Sequence, residues 1–352
     1  MKVLVTGGGG FLGASLIRRL RQEGYSVRAL LRRKESAFNL DGVELEVFIG
    51  NVLDKDCLAR AMVGVDYVFH TAAVFRGYPF YIRHPEEIFQ TNIEGTRNLC
   101  EAALAAGIRR VVYTSSAAAV GMREDGMPAD ETVPLNLLDR RSFYERSKAE
   151  SEKVALSYHA LGLNIVSVNP SFLFGVGDSR PTPTGEMIVK FLNRSYPCYF
   201  DALLCVSDID STVEAHFKAL STGESGQRYI VAHGRHYTLA EIFKMLEEIS
   251  GVRAPFLKLP LNVVHIFSLL NEAILGLLGL GGKVGPVIDS ETVRYFSLGA
   301  RYDGSQGQRV LGLTFKDFRE VLSEEVAWYM RHGYVRRSSK IGYYRKIGKL
   351  KT

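Results

Sequence analysis

The sequence predicts an α/β fold, a doubly wound parallel sheet followed by a smaller mixed α/β C-terminal lobe. Three observations carry this expectation. The chain opens on a short apolar run that ends in a glycine cluster and leads into an amphipathic helix. Short apolar strands then alternate with helical patterns through about residue 170, the arrangement that sets helices on both faces of a parallel sheet. Beyond Pro170 the alternation loosens into a stretch rich in glycine, proline and aromatic residues. The chain therefore divides into 1–170, a second lobe at 171–335 with some segments returning to the first, and a basic tail at 336–352.

The opening run is Lys2-Val3-Leu4-Val5-Thr6-Gly7-Gly8-Gly9-Gly10-Phe11-Leu12-Gly13. The helix after it puts Leu12, Leu16, Ile17 and Leu20 on one face and Arg18, Arg19, Arg21 and Gln22 on the other. Glycine is needed at three places: Gly7 for a sharp turn, Gly10 for close approach of a pyrophosphate, and Gly13 for tight helix packing. The anion then rests on the free N–H groups and the positive end of the helix. Further strands are expected at 26–31, 44–49, 66–70, 111–114 and 164–168, with helices at 85–106 and 142–161. Helical patterns return at 209–221, 238–250 and 315–331, and 172–199 is the stretch rich in glycine, proline and aromatic residues.

Composition removes several function classes. At 352 residues, with 46% hydrophobic and 23% charged residues, the chain has the make-up of an ordinary globular protein. Met1 runs directly into the first strand with no secretory pattern ahead of it, so a cytoplasmic protein is expected. Cys57, Cys100, Cys198 and Cys205 have no metal-site spacing and read as reduced thiols, and the scattered histidines suggest no metal. The net charge of +6 is concentrated in Arg336, Arg337, Lys340, Arg345, Lys346, Lys349 and Lys351. A basic end of this kind is no nucleic-acid-binding face; it reads either as a solubilising extension or as a segment drawn to the anionic cytoplasmic face of a membrane.

One apolar stretch, 261–280, approaches the length of a bilayer span. Asn262, His265, Ser268, Asn271 and Glu272 interrupt it, and Gly276 and Gly279 weaken its end. It is expected to be a buried helix or hairpin of the second lobe rather than a span; a helix lying in a membrane interface is the third reading.

Dinucleotides are told apart near the end of the second strand, where a carboxylate receives the ribose hydroxyl of NAD and an arginine receives the 2′-phosphate of NADP. The chain there reads Leu31-Arg32-Arg33-Lys34, with no acid. Arg32 and Arg33 thus favour NADP(H), with NAD(H) as the alternative.

The fifth strand ends in Tyr113-Thr114-Ser115-Ser116, and twenty-eight residues after Ser116 comes Tyr144-Glu145-Arg146-Ser147-Lys148. On a helix Tyr144 and Lys148 stand one turn apart on one face. A phenol is a poor base at neutral pH, but a nearby ammonium and an oxidised nicotinamide both favour the phenolate. Ser116, at a strand's end, is placed to hold a substrate oxygen.

With these residues the chain resembles the extended short-chain dehydrogenase/reductase family over about residues 1–335. The matching pieces are the glycine turn, His70-Thr71-Ala72-Ala73, Asn92 in Asn-Ile-Glu-Gly-Thr, Ser115-Ser116, the Tyr144/Lys148 pair and Asn169-Pro170-Ser171. Within the family it looks most like the dihydroflavonol-4-reductase-like branch and is similar to bacterial hopanoid-associated proteins labelled sugar epimerases. The resemblance implies a Rossmann core and a small substrate lobe. Tyr144 would be the proton donor and acceptor, Lys148 would lower its pKa and hold the nicotinamide ribose, and Ser116 would position the substrate. It also implies cofactor contacts from Gly7, Gly10, Phe11, Leu12, Gly13, Thr71, Ala72, Ala73, Pro170 and Ser171. Asn51 and Val52 would meet the adenine, at a place where the family more often has Asp-Leu or Asp-Val. Asn92 is expected to fasten backbone, and helices 85–106 and 142–161 form a homodimer face in relatives.

Nucleotide-sugar members of the family carry an arginine ahead of a Val-x-Asp to grip a diphosphate. Aligned on Val206-Ser207-Asp208, this chain has Asp201 there, which repels a diphosphate. Phe172, Leu173, Phe174, Phe191, Tyr196, Tyr199 and Phe200 are candidates for an apolar pocket, although each taken singly reads as core. The leading expectation is a carbonyl reductase or alcohol dehydrogenase acting on a hydrophobic, sterol- or terpenoid-like substrate. An epimerase of a sugar or sugar-lipid is the alternative, and an NADP-binding regulator without turnover is the third.

Overall fold

The computed structural model describes residues 1–74, 84–137, 142–278, 288–336, 338, 343 and 344. Apart from Arg336, every cation of the basic tail lies outside these residues, as do the last two residues of the 261–280 stretch. In chain order the strands are β1 (Lys2–Thr6), β2 (Ser26–Leu31), β3 (Glu46–Ile49), β4 (Tyr67–His70), β5 (Arg110–Thr114), β6 (Ile165–Pro170), β7 (Phe172–Phe174), β8 (Cys198–Phe200), β9 (Leu203–Asp208), β10 (Arg228–Val231), β11 (His236–Thr238) and β12 (Leu257–Leu259). The helices are α1 (Phe11–Gln22), α2 (Lys55–Ala61), α3 (Pro85–Phe89), α4 (Gly95–Ala105), α5 (Phe143–Ser157), α6 (Pro183–Leu192), α7 (Ile209–Ser221), α8 (Leu239–Ser250), α9 (Leu261–Leu277), α10 (Ser290–Ser297), α11 (Ser305–Leu311) and α12 (Phe318–Arg331).

The chain forms two compact units. The first comprises Met1–Ser171, Asp210–Gly234 and Tyr302–Thr314. Its seven-stranded sheet runs β3-β2-β1-β4-β5-β6-β10, and every pairing is parallel. Runs such as Val3-Leu4-Val5 and Val111-Val112 are wholly buried, as strands covered on both faces must be. This is the Rossmann-type architecture expected. The strand order reverses between β1 and β4, which opens a crevice at the carboxyl ends of those strands.

The second unit comprises Phe172–Ile209, Arg235–Arg301 and Phe315–Thr352. It holds a mixed three-stranded sheet, β11-β9-β7, and a β12-β8 pair. Phe174, Phe191, Phe243, Phe318 and Tyr329 lie in its core, while Phe172, Tyr196, Tyr199 and Phe200 pack partly buried against it.

Two expectations are corrected, for 85–106 and for the apolar stretch from 261. Helix 85–106 is broken by a π-helical turn, Gln90–Glu94, between α3 and α4. The glycine- and proline-rich stretch 172–199 contains β7, α6 and the start of β8, and Pro183 opens α6 at its first position, where a missing N–H costs nothing. The apolar stretch from 261 is a helix, but not a buried one, since only Val264 and Ser268 of α9 are buried. Among the described residues no helix is long and apolar enough to cross a membrane.

The glycine turn closes the crevice's near wall. Gly7 has φ +71°, and a Cβ there would meet the Ala72 backbone at 2.8 Å. A Cβ on Gly13 would lie 2.4 Å from the Gly7 carbonyl oxygen. Gly7→Ala combines left-handed strain with that collision and should cost roughly 1–3 kcal/mol. The thermal midpoint of the purified variant should accordingly fall by several degrees, with dinucleotide affinity falling alongside it.

Candidate active site

Because the sheet is parallel, the sequence-predicted residues all gather at one edge of the first unit. Gly7 follows β1, Arg32 and Arg33 follow β2, Asn51 follows β3, Thr71, Ala72 and Ala73 follow β4, Ser116 follows β5, and Pro170 and Ser171 close β6. Local hydrogen bonds lock these ends together. The Thr71 N–H and hydroxyl both donate to the Thr6 carbonyl, at 3.2 and 2.7 Å. The Ala72 N–H donates to the Thr6 hydroxyl at 3.3 Å.

Gly10 is the N-cap of α1, which has no side-chain cap and no acid in its first turn. A Cβ on Gly10 would meet only the Gly7 carbonyl oxygen, at 3.3 Å. An uncapped helix start behind a bare backbone fits a dinucleotide pyrophosphate. Phe11 is buried and Leu12 half-buried, so in the structure their side chains serve packing while their N–H groups belong to the cradle. Arg32 and Arg33 are exposed directly after β2. The segment beyond them folds over the turn, with the Asn39 amide donating to the Gly9 carbonyl at 3.3 Å. Asn51 is exposed and its side chain accepts from the Leu53 N–H at 3.1 Å, whereas Val52 is core. Ser171 donates its N–H to the Val231 carbonyl at 3.1 Å, extending the β6–β10 ladder.

Helix α5, which carries Tyr144 and Lys148, starts where it does because of a capping box. The Ser142 hydroxyl accepts from the Glu145 N–H at 3.2 Å and the Glu145 carboxylate accepts from the Ser142 N–H at 2.9 Å. That start fixes the register of Tyr144, which is half-buried and hydrogen-bonded through its hydroxyl to Ser116. Burial pushes the phenol up to about 12, and the Ser116 hydrogen bond pulls against it. The chain's own groups therefore raise this phenol, where lowering was the expectation, and keep its proton in place at neutral pH.

Lys148 is 2% exposed. Its amine donates to the Thr114 carbonyl at 2.7 Å and to the Tyr113 hydroxyl at 3.0 Å. Burial brings the amine down to about 7, with Glu152 acting in the opposite direction. His70, buried beneath the glycine turn, is depressed to about 3 by burial and secondarily by Lys148. Its neutral ring bridges the hydroxyls of Thr6 and Thr96 at 2.7 and 3.1 Å.

Several residues that sequence reasoning missed hold this site. Asn169 donates to the Ser116 carbonyl at 3.0 Å. Glu152 accepts from Asn169 and from the Ser167 hydroxyl, and pairs with Arg228 at 2.7 Å. Tyr113 and Ser151 share a hydrogen bond of 2.6 Å. A signal for Glu152 exists: it lies one turn beyond Lys148 on the stripe of Tyr144. Asn92 fastens backbone as expected, accepting from the Val74 N–H at 2.7 Å, and it also donates to Ser147 at 2.9 Å.

Comparison with known proteins places this geometry. Residues 3–232 match the NAD dependent epimerase/dehydratase family. The chain belongs to that family. It is an NAD(P)-dependent enzyme of the extended short-chain dehydrogenase/reductase type, and its site takes a nicotinamide cofactor. A Synechocystis protein whose name refers to dihydroflavonol 4-reductase is 36% identical over 336 residues, covering 94% of this chain and 95% of its own. Sterol demethylase protein B of Methylococcus capsulatus is 32% identical over 337 residues, covering 95% of this chain and 100% of its own. The crystal structure of gox2253 matches with a TM-score of 0.81 at 32% identity, over 95% of this chain and 99% of that one.

The depressed amine has a consequence for stability. A lysine brought from 10.5 to about 7 has shed its proton in the folded chain over a range where the unfolded chain keeps it. Raising the pH from about 7 towards 10 therefore favours folding through this group. Urea midpoints of wild type should rise relative to those of Lys148→Met across that window and run parallel below it.

Proposed function

We propose that the protein is an NADP(H)-dependent carbonyl reductase or alcohol dehydrogenase whose substrate is apolar and sterol- or terpenoid-like. The observation that carries the reading is the meeting of the Tyr144 hydroxyl with Ser116 at the open edge of the sheet, with Lys148 one turn further along the same helix. The cofactor, when bound, supplies hydride to the carbonyl carbon. Tyr144 donates its proton to the carbonyl oxygen, Ser116 orients that oxygen, and Lys148 on the same helix favours the phenolate left behind when its amine is protonated. The reverse reaction uses the same groups with Tyr144 as base.

Substrate class rests on two supports. Asp201 stands where nucleotide-sugar enzymes of the family place an arginine, and it is exposed and paired with Lys258 at 2.8 Å. A carboxylate there opposes a diphosphate. One relative of similar length bears a sterol enzyme's name. Arg32 and Arg33 favour a 2′-phosphate, because a guanidinium pairs with phosphate through two parallel hydrogen bonds.

The direct test is NADPH oxidation against a panel of hydrophobic ketones, sterol and terpenoid included. Turnover should fall at least about a hundredfold in Tyr144→Phe with cofactor binding retained. Retained cofactor, sugar interconversion and no net NADPH consumption would favour the epimerase instead. Cofactor choice has its own test. Arg32→Ser together with Arg33→Ser should raise KM for NADPH about tenfold or more and leave that for NADH unchanged.

A further inference from the structure

Helix α9 is built inside out. Its 17 residues carry a single charge, Glu272. With 3.6 residues per turn, Val263, Ile266, Phe267, Leu270, Ile274 and Leu277 fall in one stripe about 100° wide. All of them are exposed, Ile266 at 58% and Leu277 at 88%. Just upstream, Phe256 is 91% exposed. Apart from the exposed Asn262 in the first turn, the other side of the helix holds the polar residues. Ser268 is buried, its hydroxyl donating to the His265 carbonyl at 2.7 Å, and Asn271 and Glu272 are half-buried. Glu272 reaches α10, accepting from the Ser290 N–H at 2.6 Å and the Ser290 hydroxyl at 2.9 Å. There it neutralises the positive start of α10.

A helix at a water-facing surface turns its apolar stripe inward; one that turns it outward is matched to an apolar surrounding. We infer that α9 is a membrane-docking element, which lies flat in the headgroup region of a phospholipid bilayer with Ile266, Phe267, Leu270, Ile274 and Leu277 inserted. The chain's charge suits that surface. Arg253 is exposed shortly before Phe256, Arg294 lies partly exposed on α10, and residues 336–352 carry seven Lys and Arg with no acid. These complement anionic headgroups. A second copy of the chain is the weaker occupant. The stripe carries no side-chain donor or acceptor to fix a register, while stable protein interfaces have about one hydrogen bond per 100–200 Å². At about 25 Å, α9 is suited to lying in the interface rather than spanning the bilayer.

The test is flotation of the full-length protein with phosphatidylcholine vesicles, with and without phosphatidylglycerol, beside sedimentation without lipid. The variant is Ile266→Glu with Leu270→Glu, at two exposed positions where folding is not at stake. The wild type should float with the vesicles, more so with phosphatidylglycerol at low salt. The variant should lose at least about tenfold in partitioning while keeping its circular dichroism. No flotation of the wild type with either vesicle would overturn the inference. So would flotation that survives in the variant, which would assign binding to the tail alone. A wild-type dimer that the variant converts to monomer, with no vesicle binding, would assign the stripe to a second copy.

Discussion

Parallel pairing is the constraint from which the rest follows. All strands of the large sheet run in one direction, so their carboxyl ends share one edge, and the chain leaves each strand at that edge. Residues more than a hundred positions apart meet there because the backbone leaves them nowhere else to go. Thr6, Thr71, Ser116 and Ser171 are neighbours of the same crevice for this reason, not because of any attraction between their side chains. The ladder runs on past the strands, with the Ser115 N–H donating to the Val168 carbonyl at 2.8 Å. The loop that ends in Ser116 therefore inherits the rigidity of the sheet.

Helix α5 converts that edge into a chemical site. Tyr144, Lys148 and Glu152 recur every four residues along one stripe, which ties the helix to the ends of β5 and β6. Tyr144 meets Ser116 beyond β5, Lys148 meets the last carbonyl of β5, and Glu152 holds Asn169 of β6. Lys148, Glu152 and Asn169 are buried, so loosening their ties leaves a polar atom stranded away from water. This explains how a depressed amine and a raised phenol are kept close together in one small volume. Burial acts oppositely on the two, and both shifts favour the uncharged forms.

Much of this was legible in the sequence where chemistry imposes spacing. The glycine turn, the Ser-Ser strand end and the Tyr144–Lys148 pair each need particular residues at particular separations, and the seven-stranded sheet follows from alternation. What was hidden depends on distant partners. Glu152 is an ordinary helical glutamate until Arg228 and Asn169 are brought to it, 76 and 17 residues away. Tyr113 looks like one more apolar strand residue, yet its hydroxyl is a partner of Lys148. The π turn at Gln90–Glu94 has no compositional mark; it widens the helix where the Asn92 side chain reaches both the Val74 backbone and Ser147.

Two helices of this chain break the rule that apolar faces point inward, and they break it for opposite reasons. The buried residues of α5 are Glu145, Ser147, Lys148, Ser151, Glu152 and Ala155, nearly all polar. That helix packs through hydrogen bonds because its inner face is the wall of the candidate site. On α9 Ser268, Asn271 and Glu272 are again turned inward, but none of them belongs to the candidate site, and the outer stripe is apolar without interruption. Hydrogen bonding within the protein accounts for the inner face of both. Only for α5 does water account for the outer face, where Arg146 and Glu150 are exposed. Nothing within the described residues accounts for the outer face of α9; the bilayer contact proposed for it would, because a bilayer offers an apolar surrounding without asking for a register.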